Sequence, residues 1–198
     1  MTNAIRSLAL AAAFAAALSF CHTAEGQTSE RYSIGLYNSV RGLGLSFFSQ
    51  KKDMSFNSYS LTADMYGVLK NSTDRPGLHF NFSRNYYLMS SGDEGFTFLM
   101  FSGPGVSAAY TRDYEAGYYD RDFHGSFVKN QGAMLALSAS FGGRFIFNRQ
   151  LELQLSWLLE TGVHIRKDEE LPQTVVSFYK NGLFKAPYPI LHVTYRFR

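Results

Sequence analysis

The chain has 198 residues, 19 Lys and Arg against 16 Asp and Glu, a formal net charge of +3 and one cysteine. So small and scattered an excess of charge is no nucleic-acid footprint, and a single cysteine excludes an internal disulfide framework. Past the N-terminal region no apolar run reaches the ~18 residues of a membrane helix. That excludes a helical membrane protein, but the mean hydropathy of −0.16 is compatible with a barrel, whose alternating faces average away.

The first residues, MTNAIRSLALAAAFAAALSFCHTAEGQ, place Arg6 before an apolar run from Leu8 to Phe20, then Ala24 and Gly26 around Glu25. This is the pattern of a secretory signal, with cleavage expected after Gly26, and the run is too short for a spanning helix of ~20 residues. Cys21 lies inside the signal and raises a lipoprotein as an alternative, though Phe20 before it fits poorly. Removing residues 1–26 leaves a mature domain, 27–198, without cysteine, and therefore without a thiolate metal site.

Strand signals follow one another from there. YSIGLY and GLGLSFF flank the turn-like NSVRG. In SYSLTADMYGVL, Tyr59, Leu61, Ala63, Met65 and Leu69 oppose Ser60, Thr62 and Asp64, and in GLHFNFSRNYYL, Leu78, Phe80, Phe82, Tyr86 and Leu88 oppose His79, Asn81, Ser83 and Asn85. Phe96, Phe98, Met100, Val106, Ala108 and Tyr110 form the next apolar series, and Leu135, Leu137, Ala139, Phe141, Phe145 and Phe147 another, opposite Ser138, Ser140 and Arg144. LELQLSWLLETGVHI, from Leu151 to Ile165, sets Leu151, Leu153, Leu155, Trp157, Leu159, Val163 and Ile165 against Glu152, Gln154, Ser156, Glu160 and His164. PILHVTYRFR closes the chain with Leu191, Val193, Tyr195 and Phe197 opposite His192, Thr194 and Arg196. A period of two is that of extended chain, and runs this long exceed the ~5–6 residues of an ordinary soluble strand.

About eight antiparallel strands are expected. The connections QKKDMS, SSGDEG and NRQ are short, whereas Arg112 to Gln131 and Arg166 to Pro187 are long, the asymmetry expected of periplasmic turns and external loops. Tyr86, Phe96, Phe98, Phe145, Phe147, Tyr195 and Phe197 gather at one end of the strands in the apolar phase, as an interfacial aromatic girdle would.

Together, the signal, the long alternating strands and the aromatic last strand resemble a small bacterial outer-membrane β-barrel of the OmpA-like size class, over essentially the whole mature chain. The resemblance implies an all-β, up-and-down transmembrane barrel in the outer membrane of a Gram-negative cell. Its partners would be outer-membrane lipids, and periplasmic chaperones and the barrel-assembly machinery during biogenesis. It also implies an assembly signal in the last strand, matched by Leu191, Val193, Tyr195 and Phe197; Arg198, which makes Phe197 penultimate, departs from the pattern.

The opposite phase then lines the lumen with Asp64, Arg144, Glu152, Gln154, Glu160, His164, His192 and Arg196, together with His79. Buried charges need partners, and pairing Arg144 with Glu152 and Arg196 with Glu160 would make a hydrogen-bonded plug. The histidines keep no metal-ligand spacing, so neither metal nor cofactor is expected. The loop from Asp113 to Phe127 mixes aromatics with carboxylates, without the spacing of a calcium loop. Within it, His124 and Ser126 resemble the His-x-Ser of outer-membrane lipid A deacylases, but Phe127 replaces the expected Asn and the next carboxylate is Glu152. The expected function is therefore a structural or surface-interaction role with a filled lumen. The alternatives are a narrow pore or hydrophobic-solute channel, a deacylase using His124 and Ser126, and a soluble lipocalin-like barrel with its apolar phase inside.

Overall fold

A computed structural model describes residues 31–52, 54–65, 68, 75–92, 95–112, 130–147, 150–168, 172–181 and 188–197. The signal region and the His124/Ser126 loop lie outside the described residues.

Nine strands are described: β1 (Arg31–Ser39), β2 (Gly42–Lys52), β3 (Ser55–Asp64), β4 (Gly77–Gly92), β5 (Phe96–Thr111), β6 (Gly132–Phe147), β7 (Leu151–Lys167), β8 (Thr174–Asn181) and β9 (Ile190–Phe197). Each pairs antiparallel with its neighbours, and β9 pairs with β1 from Tyr32↔Phe197 to Ser39↔Ile190, which closes the barrel. The last two strands share one stave. β9 lies along Leu151–Ser156 of β7 and β8 along Glu160–Lys167, so the barrel has eight staves. The long connection expected from Arg166 to Pro187 thus contains a strand of its own. β7 runs higher than β9 can reach, and β8 pairs the backbone that β9 leaves exposed.

That split follows from the stagger of the strands. Hydrogen-bonded partners lead from Leu36 through Leu45, Leu61, Phe80, Ala108 and Leu135 to Val163 of β7. In the other direction, they lead through Val193 to Leu153, ten residues away on the same strand. With eight staves, this offset corresponds to a tilt of roughly 40° and an interior just wide enough for side chains.

The apolar phase faces outward. Leu78, Leu135, Leu137 and Phe178 are more than half exposed, while Asn81, Ser107, Ser138 and Glu160 of the opposite phase are buried. A soluble monomer rarely exposes more than a few hundred Å² of contiguous apolar surface, whereas here the apolar residues recur around the wall. The lipocalin-like alternative, which needs the reverse arrangement, is therefore excluded.

At the end carrying the short turns, the rings of Phe96, Phe98, Phe145 and Phe147 lie 4.9–6.2 Å apart in successive pairs. Phe98 lies over Gly143, where an added Cβ would stand 2.8 Å from the ring. Gly92, at φ 150°, opens the β4–β5 turn in a conformation that a side chain disfavours.

Candidate functional site in the barrel lumen

The lumen is layered. At its short-turn end, Glu152 is fully buried as the second residue of β7, one inward position from Gln154, the cross-strand partner of Arg144 on β6. Its Oε2 accepts from Arg144 Nε at 3.1 Å, from Arg144 Nη2, and from the Ser33 hydroxyl at 2.9 Å. Arg196 Nε stands 2.5 Å from the other oxygen without hydrogen-bond alignment, so that contact is an ion pair. Two arginines thus share one carboxylate. The expected pairing of Arg196 with Glu160 does not form, because Arg196 lies at the short-turn end of β9 and Glu160 in the long-loop half of β7.

Aromatic side chains close this layer. Arg144 donates to the Tyr87 hydroxyl at 3.0 Å, and its guanidinium lies 5.1 Å and 4.8 Å from the ring centres of Phe48 and Phe56. Phe56 stacks on Tyr87 and meets Phe101 edge-on, each at 5.2 Å. Stacking on rings and pairing with a carboxylate are the two environments that make a buried guanidinium tolerable.

The middle layer is neutral and polar. His192 lies between two serines, with Nδ1 2.6 Å from the Ser46 hydroxyl and Nε2 3.2 Å from that of Ser156. Asn81 donates to Ser107 and Ser138, both at 2.9 Å, and Ser140 donates to Asn85 at 2.5 Å. Gln154 is buried beside a cavity of about 20 Å³, and its amide oxygen has no partner among the described residues.

At the long-loop end, two further carboxylates take separate partners. Asp64 accepts from Arg41 at 3.1 Å and from Thr111 at 2.7 Å. Glu160 lies 2.8 Å from His79 Nε2 and accepts from Asn181, also at 2.8 Å. Burial works against the charge of Arg41, in the β1–β2 turn, but Tyr179, Asp64 and Glu160 outweigh it and hold the guanidinium above its ordinary range. His164 donates through Nε2 to the Thr111 carbonyl at 2.9 Å. A cavity of about 40 Å³ lies between the Asp64 and Glu160 groups. Since a water needs ~10–15 Å³ by this measure, these two cavities have room for a few waters.

Of the residues expected in the lumen, Arg144, Glu152 and Arg196 come together at one end and Asp64, Glu160 and His79 line one cavity at the other. Gln154 and His192 are cross-strand partners lining the small middle cavity, and His164 stands apart from them. Among the described residues, no three His, Cys, Asp or Glu side chains cluster as metal ligands. Sequence reasoning missed Ser33, Tyr87, Phe48, Phe56 and Phe101. The phase of Gly44, Ser46 and Phe48 against Leu43, Leu45 and Phe47 carried a signal for Phe48, and that of Asn81, Ser83 and Asn85 one for Tyr87, since the register shift of β4 comes only after it, between Tyr87 and Met89.

Closed staves, an apolar exterior and a polar interior define an eight-stave barrel of the outer-membrane type. The chain is similar to the N-terminal β-barrel domain of Pseudomonas aeruginosa OprF, with a TM-score of 0.52 and 13% identity over 87% of this chain and all of that one. A major outer membrane protein from Thermus thermophilus gives a TM-score of 0.43 at 10% identity, over 85% of this chain and all of that one. Ail, the attachment invasion locus protein of Yersinia pestis, gives 0.37 at 14%, over 86% of this chain and all of that one. At these identities the first likeness concerns the fold alone. No family model matches the chain, and no curated protein matches it in sequence.

Proposed function

We propose that the protein is an integral outer-membrane barrel with its short turns in the periplasm, serving as a non-catalytic, non-conducting scaffold that presents its longer loops at the cell surface. The observation that carries this reading is the Arg144–Glu152–Arg196 cluster, packed against Phe48, Phe56 and Tyr87 inside the short-turn end, which supports a blocked lumen. Outward Leu, Phe and Tyr support lipid as the surrounding medium, and backbone pairing around the closed wall meets the requirement that lipid imposes. β9, paired with both β1 and β7, supports the assembly role of Leu191, Val193, Tyr195 and Phe197, since closure depends on that strand.

Planar-bilayer recording tests the sealed lumen. The mature protein, shown to be folded by heat-modifiable migration, should produce no steady single-channel steps; sustained steps would favour the narrow pore.

A further inference from the structure

Among the described residues, the outward phase carries a single charge away from the strand ends: Arg84, in the middle of β4 between Phe82 and Tyr86. It is exposed and makes no hydrogen bond or ion pair with a described residue; its guanidinium carbon lies 5.9 Å from the centre of the Tyr86 ring. A lone charge on a lipid-facing wall is unfavourable in proportion to its depth, unless it reaches the interface or meets an opposite charge there. Asn57 is its cross-strand partner on β3 and adds an amide to the same row.

Beside this row the wall is furrowed. A groove of about 140 Å³ is lined on its outward side by Ile34, Leu45, Phe47, Tyr59, Leu61 and Phe80. It lies between two hydrogen-bonded rows, Ile34–Phe47–Tyr59 and Leu45–Leu61–Phe80. The first row continues to Phe82, whose ring is 5.0 Å from that of Tyr59, and the next row towards the short turns is Asn57–Arg84. The groove thus has a cationic, amide-bearing end towards the short turns and an apolar body towards the middle of the wall.

We propose that this surface is a binding site for a glycerophospholipid of the periplasmic leaflet, its phosphate held by Arg84 and Asn57 and one acyl chain lying in the groove. The direction of the site selects this occupant. A lipid of that leaflet has its phosphate towards the short turns and its chains towards the midplane, while lipid A of the outer leaflet points the opposite way. Tyr86, under the guanidinium, directs the charge towards the headgroups. The inference rests on the membrane orientation proposed above.

Native mass spectrometry of the folded mature chain in detergent, titrated with phosphatidylglycerol, tests it. One lipid should be retained per barrel, R84Q should weaken retention tenfold or more, and Lys180→Gln, at the other end of the wall, should leave it unchanged. Leu61→Trp, which fills the groove but keeps the charge, should also release the lipid and so serves as a second variant should R84Q fold poorly. Inorganic phosphate should not compete. Unchanged phosphatidylglycerol retention in R84Q or Leu61→Trp, or tighter Arg84-dependent binding of lipid A, would overturn the site. Carbonate extraction separates the two readings: a chain that leaves the membrane ends both, whereas an integral chain whose variants keep the lipid ends only this one.

Discussion

The two ends of the lumen hold buried carboxylates in contrasting ways. At the short-turn end, a single glutamate serves two arginines beneath a roof of rings, and at the long-loop end Asp64 and Glu160 each have their own partners around a cavity. The first arrangement packs rings against the ion cluster and makes two charges depend on one residue. The second lets each carboxylate keep neutral hydrogen-bond donors, from Thr111 or Asn181, when an ionic partner is lost. Sealing and tolerance are therefore separated along the barrel axis.

The largest expected effect comes from breaking the sealed end. Glu152→Gln leaves Arg144 and Arg196 facing each other without a carboxylate, which typically costs about 3–5 kcal/mol when burial is complete. Urea unfolding in vesicles should show a clearly lower midpoint, and an unchanged midpoint would remove the distinction between the ends. Glu160→Gln should cost less, about 1–2 kcal/mol, because its amide can still meet Asn181 and the adjoining cavity admits water. A loss as large as that of Glu152→Gln would mean that the long-loop end is sealed too. The smallest expected effect is in the middle layer. Gln154→Leu removes a buried amide oxygen that lacks a partner, so stability should stay within about 1 kcal/mol of the parent or rise slightly. A loss well beyond that would show that Gln154 is satisfied in solution.

Much of the fold was legible in the chain. Leu151 to Ile165 alternates because extended backbone sends successive side chains to opposite faces, and the same rule phases Leu78–Phe82, Leu135–Phe141 and Leu191–Phe197. The lumen residues could be read from the same phase, but their partners could not. Arg196 and Glu160 share a face in any reading, and only the register of β9 on β7, which sets Thr194 opposite Glu152, brings the next inward residue, Arg196, within reach of that carboxylate. Tyr87 continues the inward phase of Asn81, Ser83 and Asn85, but the phase alone does not tell that its hydroxyl meets Arg144.

By itself, the sequence determined an alternating all-β chain with a polar and an apolar phase, because that periodicity is local. It did not determine which phase faces inward, for a lipocalin-like barrel uses the same pattern reversed. Tertiary structure decided this by closing the barrel with Ser, Asn and paired charges buried and with residues such as Leu78, Leu135 and Phe178 exposed. It also decided that Arg84 and the furrow beside Tyr59 share one face, since their strands, β1 to β4, become neighbouring rows only once the register is set.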